Sequence, residues 1–298
     1  MPPYGYAIAS ALLWALSVPV LNLGLSRLPP EKRAAIVPGL LTSMTAGLVV
    51  LGLLAFPIGA GQALTMETVL AGIFTYPIAT GLYYLSGFAF GTRTEFAAQF
   101  AKIKPLFSAL IAVLLLGETL NGLQAIPLAL MVVGIALFYM GLLRQLYSRA
   151  AVTLGLLTAL AWAIGEAFVK AAFTGGDTLD HAFVALAAGT ALAWLLYPVG
   201  RVLGMPSVPL QGRWLWPFAL HGILSFGLAY TLFFHSIATL GLYSTVLINA
   251  FWPFLSIWVV KATQALSGQG GRRPVPLTVW MASSSLLAAS VIEIYLLS

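Results

Sequence analysis

The sequence predicts an all-helical integral membrane protein with ten transmembrane helices, arranged as two inverted repeats of five helices. The prediction rests on the composition, on apolar runs of spanning length and on an internal repeat. Of the 298 residues, 60% are hydrophobic and only 7% are charged, and the mean hydropathy is +0.98. A soluble domain carries about 25% charged residues. Most of the outer surface must therefore face lipid.

The composition also restricts the function classes. The net charge of +6 comes largely from residues in connections, so it reports on membrane topology rather than on a nucleic-acid partner. The chain has no cysteine, which excludes disulfides, thiolate metal sites and cysteine nucleophiles. It has no GxxxxGK[ST] loop for ATP phosphates and no HExxH metal motif. We expect membrane lipids and a small-molecule substrate as partners, and no cofactor or metal.

Apolar runs of spanning length occur throughout the chain. A helix needs about 20 apolar residues to cross about 30 Å of hydrocarbon. Short connections rich in Gly, Pro and charge separate the runs, so no separate soluble domain is expected. The predicted spans are 4–25, 34–56, 67–90, 94–116, 122–143, 151–173, 181–203, 214–238, 241–263 and 277–297.

An internal repeat appears at an offset of 148 residues. The stretch 10–15 (SALLWA) matches 158–163 (TALAWA), and the stretch 104–108 (KPLFS) matches 252–256 (WPFLS). The predicted halves are residues 1–146 and 147–298. Because each half has an odd number of helices, the two halves must have opposite orientations in the membrane. Inverted repeats that enclose a site near the midplane are common in transporters.

The end of the first half carries a recognisable pattern. Leu114-Leu115-Leu116-Gly117-Glu118, followed by Leu123-Gln124 and Gly134, resembles the end of the EamA-type unit of the drug/metabolite transporter (DMT) superfamily. The Trp in span 1, the Pro in span 4 and Gly227-Leu228-Ala229-Tyr230 in span 8 also fit. The resemblance implies a ten-helix carrier whose central cavity is lined mainly by helices 1–4 and 6–9. The second half departs from the pattern, because no Gly-Glu pair follows span 9.

The basic residues are distributed unevenly between the two sides. Ten of the 14 Lys and Arg residues lie in or beside the connections after spans 1, 3, 5, 7 and 9. The other side has none of them and holds acidic residues. The positive-inside rule therefore predicts that both termini lie outside the cytoplasm. The resemblance implies cytoplasmic termini, and we favour the charge count. The expected location is the bacterial plasma (inner) membrane.

Two lysines lie near the middle of span 4. Lys102 and Lys104 are two residues apart, which places them on different faces of a helix. Gln99 shares a polar stripe with Lys102, and Ser108 shares one with Lys104. The functional interpretation is that at least one lysine faces the cavity and attracts an anionic group. The alternative is that the lysines pair with carboxylates or extend to the interface.

A second charged pair is predicted within span 6. Glu166 and Lys170 are one helical turn apart, so they can pair on one face. Such a pair could be purely structural. Alternatively, Glu166 could couple transport to protons by taking up a proton when the substrate leaves.

Several aromatic and amide side chains complete the candidate substrate site. Trp14 and Trp162 occupy equivalent positions of the repeat near the middle of their spans, where they could line a cavity or pack between helices. The weaker candidates are Tyr83, Tyr84, Tyr230, Asn249 and Asn22.

Two prolines and two histidines within the spans are predicted to have structural roles. Pro105 and Pro253 occupy equivalent repeat positions and could be kinks about which the halves rock. His221 and His235 lie towards opposite ends of span 8 and are interpreted as helix-packing residues.

Together these features predict a secondary active transporter rather than an enzyme. It would move a small polar metabolite, an amino acid or an organic or phosphorylated anion, by alternating access between the inverted repeats. Energy would come from exchange, from the substrate gradient or from protons. The alternatives are a channel and an intramembrane enzyme that acts on a lipid-like substrate. The sequence also leaves open a homodimer formed through the outer helices 5 and 10.

Overall fold

The chain forms a bundle of apolar helices. The computed structural model describes residues 2–27, 36–55, 63–89, 101–143, 149–173, 177–202, 210, 212–266 and 277–298. Within these ranges, nine helices are long and apolar enough to cross a membrane, and a tenth, Lys104–Leu114, is shorter. The predicted class, an all-helical integral membrane protein, is confirmed.

Each predicted span overlaps one helix. The first five helices are α1 (Pro3–Ser26), α2 (Ile36–Ala55), α3 (66–89), α4 (101–114) and α5 (122–143). The second five are α6 (Arg149–Ala172), α7 (Thr178–Val202), α8 (213–240), α9 (242–266) and α10 (Leu277–Leu297).

Contacts between α1 and α8 define the two ends of the bundle. At the start of α1, the ring of Tyr6 lies 4.2 Å from that of His235 near the end of α8. At the end of α1, the Arg27 guanidinium lies 5.6 Å from the ring of Trp216 at the start of α8. We call the end where α1 begins and α10 ends the termini end. The opposite end, where Arg27 and Arg213 lie, is the basic end.

Two helices contain matching irregular segments. In α3 the segment Phe74–Thr80 is π-helical, and in α8 the segment Ile223–Ala229 is π-helical. A π-helical segment inserts extra backbone into a turn, so it changes which side chains face inward, and such segments are frequent at functional sites.

Within the described residues, α4 begins with a 3₁₀ turn and α9 is interrupted by a turn. In α4 a 3₁₀ turn, Ala101–Ile103, precedes Lys104–Leu114, and in α9 a turn separates Leu242–Asn249 from Trp252–Leu266. Pro105 and Pro253 are each the second residue of the segment that follows. Both prolines lie in the first turn of a helical segment, and the rocking of the halves about them stays a prediction. Proline is favoured in a first helical turn because its missing N–H would have no partner there.

Glycines allow two very close helix crossings. A Cβ placed on Gly222 of α8 would lie 1.9 Å from the Ser43 carbonyl oxygen of α2, and a Cβ on Gly72 of α3 would lie 1.9 Å from that of Ala185 in α7. Small residues at such crossings let membrane helices approach until their backbones touch. The first crossing joins α8 to α2, and the second joins α3 to α7. A repeat of five helices makes α2 equivalent to α7 and α3 equivalent to α8, so the two crossings are equivalent to each other. The division at residue 146 stays a prediction.

Candidate functional site

A small cavity lies between the middle of the bundle and the basic end. It is lined from α1, α3, α4, α6, α8 and α9, whereas α2 and α7, which the resemblance also implied, contribute no described lining residue. Six of the thirteen lining residues are Trp, Tyr or Phe, and five are polar. The lining residues are Trp14, Ser17, Val18, Leu21, Thr80, Tyr83, Lys104, Trp162, His221, Ser225, Phe226, Tyr230 and Trp252.

A buried ion pair adjoins this wall through Lys104. The Lys104 ammonium donates to Glu166 Oε1 at 2.5 Å, and the Ser108 hydroxyl donates to Glu166 Oε2 at 2.5 Å. The ammonium also lies 5.2 Å from the ring centroid of Trp14 and 4.9 Å from that of Phe233. An aromatic face attracts a cation through its quadrupole. The pair joins α4 to α6 and places a compensated positive charge at the cavity.

The predicted pairing of Glu166 with Lys170 was wrong. The Lys170 ammonium instead lies 3.7 Å from Glu118 Oε1, and its side chain is 33% exposed. Glu166 is 1% exposed and faces α4. Spacing by one helical turn lets two charges meet, but here each finds a partner on another part of the chain because the two sit at different depths.

The two span-4 lysines have different surroundings. Lys102 is buried away from the cavity, with its ammonium 4.6 Å from the ring centroid of Phe138 and 4.8 Å from that of Phe254. Lys104 lines the cavity. The expectation that the two would lie on different faces is confirmed, and Lys104 is the lysine available to a ligand in the cavity.

The two repeat-related tryptophans both line the cavity and also pack. The Trp162 indole N–H donates to the Thr75 carbonyl in the π-helical segment of α3 at 3.1 Å. The Trp14 ring lies 4.9 Å from that of Tyr230 and 5.8 Å from that of Trp252. The Tyr83 ring lies 5.4 Å from that of Trp162. These rings therefore form a rigid aromatic wall.

Other predicted substrate residues lie elsewhere. The Tyr84 hydroxyl is behind the wall, 3.3 Å from both Ser43 Oγ and His221 Nδ1. Asn249 is buried and donates from Nδ2 to the Ala7 carbonyl at 2.9 Å and to Ser10 Oγ at 2.8 Å. Asn22 is half-buried in α1 and is not a lining residue. Gln99 falls outside the described residues. Contacts of these residues with substrate stay predictions.

The sequence analysis missed several lining residues. Thr80, Ser225 and Phe226 belong to the two π-helical segments, and nothing in the residue pattern indicates the change of face that those segments cause. His221, interpreted as a packing residue, also lines the cavity. Trp252 could have been found, because it is the repeat equivalent of Lys104.

Comparisons with known proteins agree with this arrangement. A model of the EamA-like transporter family matches residues 1–140. No curated protein matches the chain. A solved structure titled "Crystal structure of protein" is 18% identical, with a TM-score of 0.72, and the match covers 99% of this chain and 96% of that one. At this identity the match shows a shared fold. The family match covers just under half of the chain, and it shows that residues 1–140 are similar to the EamA-like transporter family.

Proposed function

We propose that this membrane transporter is a secondary carrier for a small polar metabolite that bears an anionic group, an amino acid or an organic or phosphorylated anion. Residues 1–146 and 147–298 would be the two halves that alternate access to the cavity. The observation that carries the proposal is the Lys104–Glu166 pair, whose lysine lines the cavity among aromatic rings.

The ion pair offers a way to bind an anion reversibly. An anionic group of the substrate would compete with Glu166 for the Lys104 ammonium. The aromatic rings around the cavity would contact the apolar part of the substrate. A buried cation with no partner would be strongly unfavourable between substrates, and Glu166 prevents this by taking the place of the substrate anion.

The same competition supplies a route for proton coupling. Among the described residues, a Glu166 carboxylate that has lost Lys104 keeps the Ser108 hydroxyl as its hydrogen-bond donor, and a buried carboxylate without a counter-charge is neutralised by a proton. The proton would then bind together with a simple anion. This order differs from the one suggested by the sequence, in which Glu166 takes up its proton when the substrate leaves. A zwitterion could instead place its carboxylate on Lys104 and its ammonium on Glu166, with no proton needed.

The test is thermal stabilisation of the purified protein by a panel of amino acids and of organic and phosphorylated anions. A ligand that binds only the folded state raises its stability by about 2.7 kcal/mol at a hundred times its dissociation constant. We expect a hit for the unaltered protein and for Lys102→Met, because Lys102 lies outside the cavity. We expect no stabilisation of the double variant Lys104→Met with Glu166→Gln, which removes both charges of the pair. Stabilisation retained by the double variant would refute the proposed role of Lys104.

The pH dependence of the hit distinguishes the two substrate classes. Apparent affinity for a simple anion should rise as the pH falls, because Glu166 must gain a proton for the anion to replace it. Affinity for an amino acid should change little over the same range. Measuring each dissociation constant at several pH values, with Glu166→Gln as the variant that cannot titrate, checks both expectations.

A further inference from the structure

The first part of α9 fills the termini end of the bundle. All eight residues of Leu242–Asn249 are buried. This segment packs against α1, α4, the last part of α8, and α10. A turn at residues 250–251 separates it from Trp252, which lines the cavity. The segment therefore stands between the cavity and the termini end, and the turn divides it from the rest of α9.

One carboxylate binds the beginning of this segment. Glu118 accepts the backbone N–H of Leu242 at Oε1 and that of Tyr243 at Oε2, each at 2.8 Å. The first N–H groups of a helix lack partners within the helix, and negative charge is favoured there. Glu118 follows α4 in the first half of the chain, so this contact crosses between the predicted halves. The Lys170 ammonium of α6 lies 3.7 Å from Glu118 Oε1.

The Tyr243 hydroxyl donates to the Gln124 carbonyl at 2.7 Å in a part-buried hydrogen bond, and the attachments further along the segment are buried. Asn249 binds α1 at the inner end, as described above. Ser244 donates to Glu293 Oε1 of α10 at 2.6 Å, and Thr245 Oγ1 lies 3.0 Å from Ser236 Oγ of α8. The Glu118 side chain, by contrast, is 18% exposed. Water can replace its two hydrogen bonds more easily than it can reach the buried ones, so release would begin at this end of the segment, where Glu118 makes two of the three part-buried hydrogen bonds.

We propose that Leu242–Asn249 is the gate at the termini end of the transport path, and that Glu118 is the latch that keeps it closed. The inference rests on the alternating access proposed above. Opening towards the termini end requires the segment to leave α1 and α4, and Glu118 to release both N–H groups. The repeat equivalents of Gly117-Glu118 are Ala265-Leu266, so the sequence supplies no second carboxylate at the equivalent position of the other half. The latch acts at one end.

Cysteine labelling can test the gate directly, because the chain has no cysteine of its own. One reporter is Ser236→Cys, which lies against the gate and is 0% exposed, and the other is Ser225→Cys in the cavity wall. Each is placed in the unaltered protein, in Glu118→Gln and in Glu67→Gln. Glu67 is half-buried in the first turn of α3, also at the termini end, so its variant removes one negative charge without touching the gate. Maleimide labelling rates are measured on purified protein in detergent, with the melting temperature of every variant.

Glu118→Gln is expected to raise the labelling rate at the Ser236 reporter by about tenfold or more relative to Glu67→Gln, and to lower the rate at the Ser225 reporter. A tenfold population shift corresponds to about 1.4 kcal/mol. Gly241→Ala should act in the same direction while keeping the charge. Its Cβ would lie 3.1 Å from Glu118 Oε1, at a backbone φ of +86° that favours glycine.

The other possible results show whether the gate proposal or the proposed function is wrong. Equal labelling in Glu118→Gln and Glu67→Gln would overturn the latch, and so would equal increases at both reporters, which indicate general loosening. An increase at Ser236 with no change at Ser225 would support the gate and contradict alternating access. The experiment needs no substrate, so an empty ligand screen would count against the proposed function alone.

Discussion

Lys104→Met should destabilise the folded protein by about 3–5 kcal/mol, because it leaves the Glu166 carboxylate buried without its counter-charge. Glu166→Gln should also destabilise the protein, since it leaves the buried Lys104 ammonium without a carboxylate. Replacing both residues together removes both charges. A buried ion pair exchanged for neutral side chains is often close to neutral in stability. The double variant should therefore be more stable than either single variant.

The measurement is a double-mutant cycle on thermal or denaturant unfolding in detergent, with Lys170→Met as the control. Lys170 forms a longer and partly exposed pair with Glu118, and pairs of that kind contribute about 0–1 kcal/mol. If the effects of Lys104→Met and Glu166→Gln simply added in the double variant, the two residues would not act as a pair. The cavity would then need another explanation for its buried charges.

Gly72→Ala should destabilise the protein by about 3 kcal/mol, at the upper end of the range for overpacked sites, or by more. The added Cβ would overlap the Ala185 carbonyl oxygen, 1.9 Å away. That oxygen belongs to the backbone of α7, so relief requires two helices to separate. Gly222→Ala should have a comparable effect, because its Cβ would lie equally close, at 1.9 Å, to the Ser43 carbonyl oxygen of α2.

Gly81→Ala provides the matched control within α3. The nearest atom to its Cβ would be Leu40 Cδ2 at 3.8 Å, an ordinary contact with a flexible side chain. Melting temperature and the monodisperse fraction in size-exclusion chromatography compare the variants. A Gly72→Ala protein as stable as Gly81→Ala would show that the α3–α7 crossing is looser than the structure indicates.

Much of the fold follows from residue pattern alone. Apolar runs of spanning length are required of any membrane helix, so the ten spans could be located without structural information. The repeat placed Trp14 and Trp162, and Lys104 and Trp252, in equivalent positions, and the structure brings all four to the cavity. A repeat constrains which positions are equivalent, so one good candidate in one half identifies its counterpart in the other.

The charge partners could not be predicted in the same way. Lys104 and Glu166 are 62 residues apart, and their contact depends on the packing of α4 against α6. Glu118 similarly binds N–H groups of α9, and backbone groups carry no sequence signal. Spacing within one helix suggested Lys170 as the partner of Glu166, but local proximity decides a pairing only when no partner on another helix competes.

The position of the ion pair also bears on how the chain is made. Ribosomes add about 5–20 residues per second, so Glu166 is synthesised about 3–12 s after Lys104, which lies 62 residues earlier. Through that interval α4 carries a charge that hydrocarbon does not tolerate well. Stable insertion of α4 thus depends on α6, and a chain truncated between them should leave α4 in the translocon or expose it to quality-control proteases.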